Sequence, residues 1–220
     1  MKKLAKSLIL FLLPVILFAQ DENPPFYNDV QSFKKMDSIY TPAKNAILFI
    51  GSSSFTMWRG VQEAFPDFRI INRAFGGSRI IDQLRYIEDV VFPYDPKQVV
   101  IYCGENDLAD SDTVNGELVF ERFKQLFLLI RGKYPKVNVV YVSMKPSPSR
   151  QMLLAEMRAG NELIRDFLAA RKNTAFVDVY KLMIDDEGKP RAELFLDDNL
   201  HMNEKGYAIW QKAIEPYLVN

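Results

Sequence analysis

The 220-residue chain has one cysteine, Cys103, and one histidine, His201. A single thiol rules out an internal disulfide, so packing alone must hold the fold. One imidazole without paired cysteines argues against a transition-metal site, even at the acidic turn Asp185-Asp186-Glu187-Gly188. Runs of five like charges are absent, and 28 basic residues face 28 acidic ones. That balance argues against a nucleic-acid or anionic-membrane surface. Internal repeats and low-complexity linkers are also lacking, so nothing marks a second domain.

Long apolar runs are confined to the beginning. Lys2, Lys3 and Lys6 precede Leu8 to Phe18, after which Ala19, Gln20, Asp21 and Glu22 restore polarity. The run is too short to span a bilayer and contains Pro14. Charge, apolar stretch and small residue in that order describe a secretory signal over residues 1–19. No cysteine follows to carry a lipid, so the expectation is a protein exported to the periplasm or medium, with no stable membrane insertion after cleavage. Without the three leading lysines, 25 basic residues face 28 acidic, a formal charge of −3. The organisation expected is a lead-in over 20–44, packed on the outside with an amphipathic stretch from Val30 to Tyr40, then one domain over 45–220.

Short apolar runs alternate with longer segments of helical period. Strands are expected at Ala46–Ile50, Phe68–Asn72, Gln98–Cys103, Asn138–Val142 and Thr174–Val177, each rich enough in Val, Ile, Phe and Tyr to be buried on both faces. Helices are expected at Trp58–Ala64, Arg79–Ile87, Leu118–Lys133, Arg150–Ala170 and Asn203–Leu218. In the third of these, Leu118, Phe123, Leu126, Leu129 and Ile130 recur at helical spacing. Alternating β and α elements imply a parallel sheet with helices on both sides, whose reactive groups collect beyond the carboxyl ends of the strands.

Three loops fall on that edge: Gly51-Ser52-Ser53-Ser54, Phe75-Gly76-Gly77-Ser78 and Gly104-Glu105-Asn106-Asp107. The lone histidine lies downstream in Asp198-Asn199-Leu200-His201. Serine, acid and imidazole together suit activated-serine acyl transfer, because a serine hydroxyl is a weak nucleophile until a base takes its proton. An acid three residues before the histidine can accept from Nδ1 and leave Nε2 for the serine. At helical spacing, the neighbouring Asp197 would point about 100° away from Asp198.

Phe49-Ile50-Gly51-Ser52-Ser53, Asn72-Arg73-Ala74-Phe75-Gly76-Gly77, Gly104-Glu105-Asn106-Asp107 and Asp198-Asn199-Leu200-His201 resemble, in order, the four signature blocks of the SGNH hydrolases, or GDSL-type lipases and esterases. The resemblance covers most of the chain from Ala46 onward. It implies a flavodoxin-like three-layer α/β/α sandwich on a mainly parallel five-stranded sheet, and a cofactor-free carboxylic-ester hydrolase. By the same resemblance Ser53 is the nucleophile, with His201 and Asp198 completing the triad. Ser53, Gly77 and Asn106 supply the oxyanion donors, with Gly76 second to Gly77. The usual aspartate before the nucleophile is Ser52 here; since that acid does not partner the base, altered loop hydrogen bonding is expected rather than lost chemistry. The substrates implied are small acyl esters of sugars, or lysophospholipid and related lipid esters. An acyltransferase on the same site and a carbohydrate-binding protein without turnover are the alternatives.

Each residue also has a plainer reading. Ser52 to Ser54 would cap a helix, Gly76 and Gly77 would turn, Asn106 and Asp107 would form Asx turns, and His201 would cap the last helix. Four coincidences in order at strand ends favour chemistry. Cys103 is expected to be a small core residue and Asp178 a structural acceptor. Lys145 and Arg150, after the fourth strand, are expected as solvated charges near the substrate entrance.

Overall fold

The computed structural model describes residues 23–220. The expected signal therefore lies outside the described residues. From the amino end run α1 (Tyr27–Ile39), β1 (Ile47–Gly51), α2 (Ser53–Thr56), α3 (Val61–Ala64), β2 (Ile70–Asn72), α4 (Ile80–Arg85), α5 (Ile87–Val90), β3 (Gln98–Tyr102), α6 (Glu105–Asp110), α7 (Gly116–Lys133), β4 (Asn138–Val142), α8 (Leu154–Ala169), β5 (Thr174–Val177) and α9 (Glu204–Ile214). The five strands form one sheet in the order β2-β1-β3-β4-β5, every pairing parallel.

Alternation along the central strands splits the core in two. Leu48, Ile50, Val99, Ile101, Val139 and Tyr141 face one layer, which includes Val30 of α1, Ile80 of α4, Phe123 of α7 and Ile164 of α8. Ile47, Phe49, Val100, Tyr102, Val140 and Val142 face the other, built on Phe55, Trp58 and Trp210. This is the expected three-layer arrangement. Chain order reverses across β1, so the carboxyl ends of β1 and β3 flank the crevice where such sheets place their ligands.

The structure corrects several details. The strands β2 and β5 are largely half-buried, because they are the sheet's edges. On α7 the inward face comprises Val119, Phe123, Leu126, Phe127 and Ile130, while Leu118 and Leu129 are exposed. The stretch expected as a helix from Arg150 is a 3₁₀ turn, Pro148–Leu153, before α8 begins. Residues 105–107, read as part of a loop, open the helix α6. The lead-in is anchored as well as apposed: Asp37 of α1 pairs with the buried Arg73 guanidinium and accepts from the Tyr94 hydroxyl at 2.6 Å. Among the described residues no helix is long and apolar enough to cross a membrane.

Candidate active site

At the end of β1 the backbone must turn through a space only glycine can occupy. Gly51 has φ 132°, and a Cβ there would lie 1.8 Å from the Tyr102 carbonyl oxygen. That oxygen accepts from Ser52 N–H at 2.9 Å, locking the end of β1 to the end of β3. The Gly51 carbonyl in turn accepts from Phe75 N–H at 2.9 Å, the Ser78 hydroxyl at 3.0 Å and the Gln83 amide at 3.2 Å. Two loops far apart in sequence are thereby tied at one point. Gly104, at φ 128°, performs the equivalent turn after β3, with a Cβ position 2.9 Å from Met144 Sδ.

The turn after Gly51 puts Ser53 first in α2 and half-buried, its Oγ 3.1 Å from His201 Nε2. His201 Nδ1 is 2.6 Å from Asp198 Oδ2. With the proton on Nδ1, the imidazole donates to Asp198 and its Nε2 accepts from the Ser53 hydroxyl. Asp198 Oδ1 also accepts from the N–H groups of Leu200 and His201, each at 2.9 Å. The hydrogen bond from the His201 ring, followed by these backbone donors, lowers the Asp198 carboxyl to a pKa of about 2. The segment is a non-helical turn through Asn199 at φ 55°, so the helical argument for Asp197 does not apply; Asp197 is simply exposed. Asn203, rather than His201, caps α9, accepting from Lys205 and Gly206 N–H.

The other loops close in on Ser53. A Cβ on Gly76 would sit 4.0 Å from Ser53 Cβ, and Gly77 follows at φ 80° on an exposed stretch. Among the described residues nothing accepts a hydrogen bond from the N–H of Ser53, Gly76 or Gly77. These donors are available to a substrate oxygen. Asn106 donates through Nδ2 to Ser52 Oγ at 2.7 Å and Ser78 O at 3.0 Å. Ser52 Oγ thus takes part in the hydrogen bonding between these loops. Asp107 is buried, bonding the Ile80 N–H at 2.8 Å and Arg122 at 2.7 Å, and burial raises its pKa. Its position ties α6 to α4 and α7.

Lys145 departs most from expectation. Far from solvated, its side chain is 2% exposed and its ammonium lies 3.1 and 3.2 Å from the Glu105 oxygens. An unpaired buried charge would be costly, so Glu105 is what makes Lys145 tolerable there. Arg150 approaches the same carboxylate at 3.7 Å and donates to Asn106 Oδ1 at 2.7 Å. Nothing in the sequence pairs residues 105 and 145. Cys103 is buried, with burial pushing its thiol pKa well up. Asp178 pairs with Lys181 and lies outside these contacts.

Beside Asn106 and Gly77 opens a cavity of about 390 Å³, also lined by Pro25, Phe26, Arg79 and Arg150. Phe26 comes from the lead-in. It sits at φ 65° with its ring 5.2 Å from that of Phe75, while Tyr86 holds the Pro25 carbonyl at 2.8 Å. Sequence reasoning missed this wall entirely.

Residues 49–209 match the sequence model of the GDSL-like Lipase/Acylhydrolase family. No curated protein sequence matches the chain. Among solved structures, a GDSL-like lipase from Bacteroides thetaiotaomicron is similar at TM-score 0.71 and 21% identity, over 85% of this chain and 95% of that one. A Geobacillus acetyl-xylooligosaccharide esterase is similar at TM-score 0.65 and 17% identity, over 80% and 94%. A carbohydrate esterase family 3 protein from Talaromyces cellulolyticus is similar at TM-score 0.60 and 16% identity, over 77% and 94%. At these identities the likeness is one of fold.

Proposed function

The chain belongs to the GDSL-like lipase/acylhydrolase family, and from that premise we propose that it is a serine carboxylic-ester hydrolase using Ser53, His201 and Asp198. The observation that carries this reading is the unbroken line from Ser53 Oγ through His201 to Asp198, at 3.1 and 2.6 Å. As Ser53 Oγ attacks the ester carbonyl, its proton passes to His201 Nε2 and the carbonyl π electrons move to oxygen. The resulting oxyanion is met by the N–H of Ser53 and Gly77 and by the Asn106 amide. Such donors, aimed in advance, can each be worth about 3 to 4 kcal/mol of barrier. Collapse breaks the bond to the alcohol, whose oxygen takes the proton from His201. Water then repeats the sequence on the acyl-enzyme, releasing acid and restoring Ser53. Asp198, held near a pKa of 2, remains ionised and keeps the imidazole in the productive tautomer.

For substrate, the reading favours a small acyl group, such as acetyl, on a carbohydrate over a lysophospholipid-type ester. The cavity beside the oxyanion donors offers Arg79 and Asp110 together with Phe26, a mixture suited to hydroxyls and a ring more than to an alkyl chain. Export belongs to the same proposal and rests on the pattern of residues 1–19; fractionation of cells producing the full chain tests it.

Ser53→Ala tests the chemistry. Hydrolysis of p-nitrophenyl acetate and covalent labelling by a fluorophosphonate should both vanish, with kcat lower by about 10⁶, while Ser54→Ala keeps most of its activity. Retained labelling in Ser53→Ala would overturn the assignment. Release of acetate from acetylated xylo-oligosaccharides, set against p-nitrophenyl esters of increasing chain length, decides between sugar and lipid.

A further inference from the structure

We propose that Arg150 is a positioning residue for this reaction, its guanidinium holding the Asn106 side-chain amide with the N–H end turned toward the oxyanion. The inference rests on reading Asn106 as an oxyanion donor. A primary amide can rotate by half a turn and exchange its oxygen for its nitrogen at little intrinsic cost. Only one of the two orientations stabilises an anion. In the other, a carbonyl dipole would repel the charge that develops in the transition state.

The surroundings of Asn106 decide between them. Arg150 Nη2 donates to Oδ1 at 2.7 Å, a bond that only an oxygen can accept. Ser78 O accepts from Nδ2 at 3.0 Å, a contact that only an N–H can make. Rotation would set N–H against guanidinium N–H at one end and oxygen against oxygen at the other. The second Nδ2 proton goes to Ser52 Oγ at 2.7 Å. That acceptor is a neutral hydroxyl, which competes for the proton less strongly than an oxyanion would. A cation on Oδ1 also draws electron density from the amide and strengthens its N–H as a donor.

Arg150 is itself held. Its backbone, at φ −121° and ψ 30°, breaks the 3₁₀ turn of residues 148–153 and brings the side chain back toward α6. Glu105 Oε2 lies 3.7 Å from Nη1, and the buried ammonium of Lys145 anchors that carboxylate as well. The Arg150 side chain is only 16% exposed, which limits exchange of its hydrogen bond with water. It makes no hydrogen bond to Ser53 or His201, so its influence on the reaction passes through Asn106.

The test is steady-state kinetics on p-nitrophenyl acetate for the wild type, Ser53→Ala, Asn106→Ala, Arg150→Met, Arg150→Lys and the double variant Asn106→Ala with Arg150→Met, with Tm measured for each. Arg150→Met should lower kcat by about 10-fold or more, short of the roughly 10²- to 10³-fold loss for the donor itself, with KM little changed. Arg150→Lys should recover part of the loss. The double variant should be no slower than Asn106→Ala alone, because two residues acting through one hydrogen bond are not additive. Loss confined to KM would make Arg150 a substrate contact, and additive losses would make it an independent one; either result overturns the proposal. So would unchanged kcat in a folded Arg150→Met, or full activity in Asn106→Ala. Should Arg150→Met fail to fold, Arg150→Lys and its own double variant with Asn106→Ala give the same two readouts. Activity persisting in Ser53→Ala would instead overturn the hydrolase reading, independently of what Arg150 does.

Discussion

The proposed acid–base half of the site and the proposed oxyanion half are built in opposite ways. His201 and Asp198 lie on a surface turn with the carboxylate half exposed, and the contacts that shape the pair are local: Asp198 accepts from Leu200 and His201, two and three residues on. Asn106 is held by groups that are remote in sequence and largely buried, namely Ser52, Ser78 and Arg150, backed by Glu105 and Lys145. On the proposed mechanism the first half exchanges protons with substrate and water, which an open turn permits. The second must keep a dipole aimed while charge develops, which calls for rigidity and a low local dielectric.

The sharpest break in the comparison is expected on the acid–base side. Asp198→Asn preserves shape but lets the imidazole settle in the wrong tautomer, so kcat should fall by up to about 10⁴ with Tm little changed, as read by pre-steady-state burst and thermal denaturation. Asp197→Asn, one residue away and exposed, should leave kcat close to that of the wild type. His201→Ala should be at least as damaging as Asp198→Asn, since no second histidine exists to accept the proton. Full activity in that variant would remove the imidazole from the mechanism.

On the oxyanion side a smaller loss is expected. Asn106→Ala should lower kcat by about 10² to 10³ with KM nearly constant, because the amide bonds the charged oxygen more strongly than the ground-state carbonyl. A change confined to KM would assign Asn106 to substrate binding and erase the contrast drawn above.

The same contrast explains what could be read from the sequence. Asp198 and His201 are three residues apart, and the pattern of one short turn exposes their relation. The apolar runs of β1, β3 and β4 announce themselves because each is buried on both faces. Their loops then follow from topology. Lys145 carries no such mark: its partner Glu105 lies 40 residues away, and a lysine in a Pro- and Ser-bearing loop reads as solvated. Phe26 is invisible for the same reason. It reaches Phe75 and the neighbourhood of Gly77 because the Asp37, Arg73 and Tyr94 cluster fastens α1 and Tyr86 holds the Pro25 carbonyl. Leu118 and Leu129 show another limit: their spacing marks α7 as a helix, but several of its faces carry apolar residues, and only packing against α8 and the sheet decides which turns inward.

The smallest effect on catalysis, and the one that most sharpens the comparison, is expected from Lys145→Met. The ammonium is two contacts removed from Asn106, so kcat should drop less than in Arg150→Met. Stability should respond more. Removing one partner of a buried ion pair typically costs about 3 to 5 kcal/mol because the other charge is stranded. Here the loss should be smaller, since Arg150 stays within 3.7 Å of Glu105. The dependence on pH carries the diagnosis. Burial lowers the Lys145 pKa below 10.5 despite the opposing pull of Glu105. The folded chain therefore releases this proton at lower pH than the unfolded chain does. Between those two pKa values the unfolded state binds more protons, and Lys145's contribution to stability rises with pH. Urea unfolding of wild type and Lys145→Met, followed from neutral pH toward pH 10.5, should show the wild type gaining on the variant. A gap that narrows over that range would mean that Lys145 is stabilised as a cation, and that Glu105 outweighs the burial of the charge.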